Sequence, residues 1–291
     1  MRNFILTTET TCDLSREYLE EKDIPTISLH YYVNEVENAF GDGAVATVDF
    51  YNAMREGANT KTSQVNLFEA KEFLIEQLKK GKDVLHLGFA SAISGNYHNF
   101  SEAARELNEE NENKIYVVDT LSQSGGQGLL VTLVQQYAES GKTAEECFHY
   151  AEEMKLRICH YFVVDDLRYL ARNGRVSNAS AFIGNLLKIK PLLYTNDKGK
   201  LVPLLKILSR KLSLKKLVDK MKEKFDHASD IVYISHGDCL EEAVTVAEDV
   251  KEVFGITPTI LPLDFVIGCH SGPGTVALFF TSKNRTNNLL T

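Results

Sequence analysis

Short β-branched and aromatic runs alternate with amphipathic helical stretches along almost the whole chain. Phe4–Thr7, Thr26–Tyr32, Val84–Leu87, Ile115–Val118, Tyr161–Val164, Ile231–Ile234 and Thr259–Leu263 read as strands. Between them, Ser15–Lys22, Leu67–Lys80, Ser94–Glu109, Gly128–Glu139, Ala144–Leu156, Leu212–Phe225 and Leu240–Phe254 read as helices. Within Leu67–Lys80, for example, Phe73, Leu74 and Leu78 recur at offsets of three to four and give one buried face. Strands separated by helices join most readily as parallel sheets with crossover helices, which predicts an α/β fold.

The chain has 291 residues, and single cores tend to split above roughly 250 to 300 residues. The pattern changes after residue 157. A strand gives way to an Arg/Asn/Gly-rich turn, the apolar segment AFIGNLLKIKPLL, and a hairpin closed by Asn196-Asp197-Lys198-Gly199. Two α/β domains are therefore expected, 1–157 and 158–291, each with a largely parallel sheet flanked by helices.

Charge narrows the partners. There are 32 basic and 40 acidic side chains, for a net charge of -8, and no dense basic stripe interleaved with aromatics, so no nucleic-acid partner is expected. Arg210, Lys211, Lys215, Lys216 and Lys220 recur at near-helical spacing, as a solvated helix face or a docking patch would. The opening MRNFILTTETTCDL has too short an apolar run for a leader, and no segment approaches the ~20 apolar residues of a membrane span. A cytoplasmic protein with at most transient membrane contact is expected. Cys12, Cys147, Cys159, Cys239 and Cys269 are scattered without a C-x-x-C, so they read as buried small apolar residues, not a disulfide framework or a zinc site.

Several polar, glycine-bearing segments follow strands, where open α/β sheets gather ligands. They are Lys61-Thr62-Ser63-Gln64, Ser91-Ala92-Ile93-Ser94-Gly95-Asn96, Asp119-Thr120 running into Ser124-Gly125-Gly126, and Gly268-Cys269-His270-Ser271-Gly272-Pro273-Gly274. Ser94, at a loop-to-helix junction, can cap the helix or bind an anion with its N–H groups, and the same two readings apply to Thr62 and Ser63. His270, among three glycines and a proline, is either a ligand contact or a hydrogen-bonded structural histidine. Nucleotide motifs fail: Gln136 stands where the P-loop ending in Gly141-Lys142-Thr143 needs glycine, and Val131 breaks the dinucleotide pattern that starts at Gly126-Gln127-Gly128. Ser94 lacks the G-x-S-x-G frame, and the metal motifs H-E-x-x-H and D-x-D-x-D-G are absent.

Taken in order, Thr11-Cys12-Asp13-Leu14, Thr62-Ser63-Gln64, Ser94-Gly95-x-Tyr97, Val118-Asp119 before a Gly-rich helix start, Gly174-Arg175-Val176-Ser177, Lys190-Pro191 and Gly268-x-His270-x-Gly272-Pro273-Gly274 resemble the DegV family of bacterial fatty-acid-binding proteins. They span nearly the whole chain. The resemblance implies a fatty acid held by its carboxylate at Thr62, Ser94 and His270, with no cofactor, and a non-catalytic role. The acid would be presented to a separate ATP-dependent kinase, which makes the acyl phosphate that feeds phospholipid synthesis. Arg172, Arg175 and Arg210 fall in segments that resemble the kinase-facing surface, the bland alternative being internal ion pairs. Phe182, Ile183, Leu186, Leu187 and Ile189 are candidates for the acyl tunnel, or for plain core.

The chain departs from the family in having Thr8-Glu9-Thr10 where an Asp-Ser pair is usual, and Val65-Asn66 where Pro-Ser is usual. Two other readings stay open. One is a hydrolase with Ser94 as nucleophile and His270 as base, which needs an orienting group and an oxyanion hole. The other is a subunit similar to those of dihydroxyacetone kinases, whose histidine holds a small carbonyl compound.

Overall fold

The computed structural model describes residues 2–38, 44–176 and 189–286, without the side chains of 44 and 45. Its strands are β1 (Ile5–Glu9), β2 (Thr26–Ile27), β3 (His30–Val33), β4 (Val36–Glu37), β5 (Thr60–Ser63), β6 (Val84–Gly88), β7 (Ile115–Asp119), β8 (Ile158–Val163), β9 (Lys190–Thr195), β10 (Leu201–Ile207), β11 (Tyr233–His236), β12 (Thr259–Pro262) and β13 (Val276–Thr281). The helices are α1 (Arg16–Glu21), α2 (Ala44–Arg55), α3 (Leu67–Leu78), α4 (Asn96–Glu110), α5 (Gly125–Glu139), α6 (Ala144–Met154), α7 (Arg168–Arg172), α8 (Arg210–Lys224), α9 (Leu240–Phe254) and α10 (Phe265–Ser271).

Alternating side chains sort these elements into layers, because successive strand residues face opposite sides of a sheet. The first sheet, β2-β1-β6-β7, is wholly parallel, with Ile5 beside Val84 and Val84 beside Ile115. On one face, Ile5, Val84 and Ile115 bury against Leu74 of α3 and Phe100, Ala103 and Leu107 of α4. On the other, Leu6, Leu85, Leu87 and Val118 meet Leu129, Leu130, Leu133 and Val134 of α5. That same cluster takes in Phe162, Leu193, Ala277 and Phe279 of the second sheet, so α5 lies between the two sheets. The outer face of the second sheet, with Tyr161, Leu192, Leu278 and Phe280, packs on Leu217 and Met221 of α8 and Val246 and Val250 of α9. Fully burying each such side chain contributes about 1.5 to 3 kcal/mol.

The α/β class with helix-flanked sheets is as expected, but strand direction in the second sheet is not. In β10-β9-β8-β13-β11-β12 only β11 and β12 run parallel, while the other four pairings are antiparallel. A hairpin at Asn196–Gly199 reverses β9 into β10, its turn held by the Asn196 side chain and by Gly199 at φ 75°. Strand β13 then returns after α10 to lie between β8 and β11 against both. The run Thr26–Tyr32 is also split: β2 joins the first sheet, whereas β3 joins a small antiparallel sheet, β4-β3-β5. All strands of the parallel sheet precede residue 157 and all those of the second follow it, yet one buried cluster spans both.

All five cysteines are free thiols and four are buried. Burial pushes the Cys159 thiol up to about 11 and the Cys269 thiol up to about 12. Among the described residues no helix is long and apolar enough to cross a membrane, and no group of three or more His, Cys, Asp or Glu is placed to hold a metal ion.

Candidate functional site

Thr62 is the third residue of β5, on the same strand face as Thr60. The Thr60 hydroxyl donates to the Cys269 carbonyl at 3.1 Å and so ties β5 to the backbone of α10. This join seats the next residue of α10, His270, against Thr62, with the Thr62 hydroxyl 2.8 Å from His270 Nε2. The short helix that carries His270 is capped by Asp264, whose side chain accepts from Val266 N–H. It ends at Gly272, at φ 81°, where a Cβ would lie 2.4 Å from the Tyr169 ring. His270 is therefore a helical residue, not a residue of the glycine-rich loop that the sequence suggests.

Ser94 lies in the turn between β6 and α4, and its hydroxyl oxygen accepts from Asn96 N–H at 3.2 Å. The capping reading is thus partly right, and the O–H hydrogen has no acceptor among the described residues. Asp119 holds the start of this loop by accepting from Ser91 N–H at 3.1 Å and from the Ser91 hydroxyl.

Thr62, Ser94 and His270 line one cavity of about 610 Å³, within the usual range for small-ligand sites. Its apolar walls come from both halves of the chain, with Phe89 and Ile93 in the loop after β6 and Phe162, Leu201, Val266, Ala277 and Phe279 on strands and a helix of the second half. Gln123, Ser124, Arg175 and Ser271 add polar lining. Burial, and after it the guanidinium groups of Arg175 and Arg172, push the His270 imidazole down to about 3. At neutral pH the ring is uncharged, with one N–H donor and one acceptor nitrogen. Its Nδ1 has no partner among the described residues.

Four of the five apolar residues proposed for the tunnel, Phe182, Ile183, Leu186 and Leu187, fall outside the described residues. The fifth, Ile189, is buried but is not among the residues that line the cavity. Arg175 lines the cavity, and its guanidinium donates to the Asn173 carbonyl at 2.5 Å. Arg172 donates to the Thr60 hydroxyl at 2.8 Å and lies over the Tyr169 ring. Arg210 is an internal ion pair with Glu242 that also donates to the Gly274 carbonyl.

A family model with the description "Uncharacterised protein, DegV family" matches residues 3–283. This chain belongs to the DegV family. It is 38% identical to a DegV domain-containing protein of Clostridium perfringens, over 98% of this chain and 99% of that one. A Thermotoga maritima fatty acid-binding protein is 30% identical over 92% of this chain and 94% of its own. A crystal structure of a fatty acid binding DegV family protein from Streptococcus agalactiae superposes with a TM-score of 0.83 at 28% identity, covering 98% of this chain and all (100%) of that one. The helix-flanked α/β fold is shared with this DegV structure, and DegV relatives of this chain bind fatty acids.

Proposed function

We propose that this DegV-family chain binds a long-chain fatty acid in the cavity, with the carboxylate at Thr62, Ser94 and His270. The observation that carries the reading is their convergence from three distant segments on the wall of one mainly apolar cavity. The Ser94 hydroxyl and the one hydrogen that the Thr62–His270 bond leaves free on that pair supply donors to an acceptor-only head group, and such bonds contribute roughly 1.5 to 3 kcal/mol each when one partner is charged. The apolar walls take the tail, each buried CH₂ contributing about 0.8 kcal/mol. The hydrolase alternative is disfavoured because His270 Nε2 is bonded to Thr62 instead of Ser94, and Nδ1 meets no orienting carboxylate among the described residues. Nothing in the cavity favours the small-carbonyl reading.

On this account the chain does not itself transfer phosphate. A separate ATP-dependent kinase phosphorylates the presented acid to an acyl phosphate for phospholipid synthesis. Of the three arginines assigned to the kinase's approach, Arg175 has the best support, since it lines the cavity and, among the described residues, its guanidinium donates only to the Asn173 carbonyl. Arg172 and Arg210 already have internal partners. Strand membership favours a division into domains at residues 157/158. Mass spectrometry of organic extracts of the purified protein should find an acid of roughly C14 to C18 length. Extracts with no fatty acid, even after incubation with excess ligand, would exclude the assignment.

A further inference from the structure

Behind the cavity wall sits a second, wholly buried polar cluster centred on Glu9. Its Oε1 accepts from Asn96 Nδ2 at 2.6 Å and from Phe89 N–H at 3.2 Å, with His86 Nε2 at 3.3 Å. Its Oε2 accepts from Gln127 Nε2 at 2.6 Å and from Phe89 N–H at 3.1 Å. A carboxyl group removed from water needs its oxygens satisfied, and here Phe89, Asn96, Gln127 and His86 do so. Phe89 opens the loop that carries Ser94, and Asn96 begins the helix that follows it.

Asn96 is the junction. While its amide nitrogen reaches Glu9, its Oδ1 accepts from Val65 N–H at 3.0 Å, and its own N–H donates to the Ser94 hydroxyl at 3.2 Å. Val65 follows Thr62, Ser63 and Gln64, all three of which line the cavity. The Val65 carbonyl is held from α4 as well, by Asn99 Nδ2 at 2.7 Å. Asn96, with Asn99 one turn on, thus fixes the spacing between the Thr62 segment and the Ser94 turn, and Glu9 fixes Asn96. Glu9, Asn96 and Val65 themselves do not line the cavity.

We propose that Glu9 and Asn96 are positioning residues that hold the Thr62 and Ser94 segments at the separation a carboxylate requires. The proposal rests on the fatty-acid reading of the cavity. The polar head depends on hydrogen-bond geometry, whereas the tail is held by non-directional burial, so loosening the relay weakens the head-group bonds and leaves tail binding intact. Glu9→Gln puts an amide NH₂ among groups that already donate. Val65→Pro deletes the single N–H that joins the Thr62 segment to Asn96 and leaves Glu9 untouched.

The test is calorimetric titration of the delipidated protein with palmitate and with methyl palmitate, for wild type, His270→Ala, Glu9→Gln and Val65→Pro. Glu9→Gln is expected to bind the free acid about tenfold or more weakly while binding the ester within about threefold of wild type. Val65→Pro is expected to shift the acid-to-ester ratio in the same direction by a smaller factor. General destabilisation would lower both ligands together, so the ratio separates positioning from a merely structural role. If Glu9→Gln does not fold, Val65→Pro decides alone. A wild-type ratio in the folded variants, with His270→Ala impaired, overturns the relay and leaves the fatty-acid reading standing. Wild-type protein that binds neither ligand overturns both.

Discussion

Replacing Gly126 with alanine would drive a methyl group into a buried histidine. A Cβ at this position of α5 would lie 2.1 Å from His160 Cε1 and 2.6 Å from each ring nitrogen. Carbon contacts are comfortable at roughly 3.5 Å, so the imidazole must retreat by about 1.4 Å. It has little room to do so. The ring is 1% exposed, meets Phe279 edge-on at 5.3 Å, and is bonded through Nε2 to the Ser122 hydroxyl, which in turn accepts from Arg285. Overpacking of this kind costs about 1 to 3 kcal/mol, and the held ring argues for the upper half of that range. At about 2 to 4 °C per kcal/mol, the melting midpoint should fall by roughly 4 to 12 °C. The discriminating assay is a double-mutant cycle by urea denaturation. His160→Ala alone costs stability through its cavity and its lost bond, but it also gives the new methyl group space. Gly126→Ala with His160→Ala should therefore cost about 1 to 2 kcal/mol less than the sum of the single changes. Additivity to within about 0.5 kcal/mol would show that the glycine is not there to admit the ring.

Two further outcomes follow from buried ionisable groups. Burial holds His270 at about 3 and His160 well below the ordinary 6.5, so unfolding below that pH takes up protons at two histidines. Burial raises Asp13 from 3.8 to about 7, so the native state carries one extra proton in part of the same window. Between pH 4.5 and 6.5 the unfolded chain binds more protons, and the melting midpoint should climb with pH; a flat or falling midpoint would contradict these environments. Arg285, at 2% exposure, donates to the carbonyls of Ile158, Leu121, Asn196 and Lys155 and to the Ser122 hydroxyl. Arg285→Met should cost about 3 to 5 kcal/mol in urea denaturation by stranding buried acceptors, and a loss under about 1 kcal/mol would mean that water replaces the guanidinium.

The parallel sheet was legible because β1, β6 and β7 are short apolar runs, each followed by an amphipathic helix, so period and order agree. The second sheet was harder. The segment Val276–Thr281 is buried at every position, which gives neither a twofold nor a 3.6-residue pattern, and its central place comes from long-range pairing with β8 and β11. The helix that carries His270 was hidden by Gly268 and the Gly272-Pro273-Gly274 stop, which read locally as loop. The glycines at the start of α5 do not complete a dinucleotide pattern, and their use is in packing: Gly125 makes way for Phe279, Gly126 for His160 and Gly128 for the Cys12 carbonyl. Thr62, Ser94 and His270 could be named from a resemblance spread over the chain. The cavity walls could not, because Phe162, Leu201, Ala277 and Phe279 are strand residues whose inward direction is decided only when the two sheets pack. Glu9 and Val65 stood out in the sequence only as departures from the family pattern, and their link through Asn96 exists only in three dimensions.

The central claim is that Thr62, Ser94 and His270 hold one carboxylate. Its most direct measurement compares the affinity of wild type, Ser94→Ala and His270→Ala for a free fatty acid and for its methyl ester by calorimetry. Each lost bond to the carboxylate should weaken the free acid by about 1.5 to 3 kcal/mol, roughly 10- to 150-fold, with a much smaller effect on the ester. Equal affinity of all three folded proteins for the free acid would leave these side chains as a helix cap and a structural histidine, and the carboxylate clamp would be wrong.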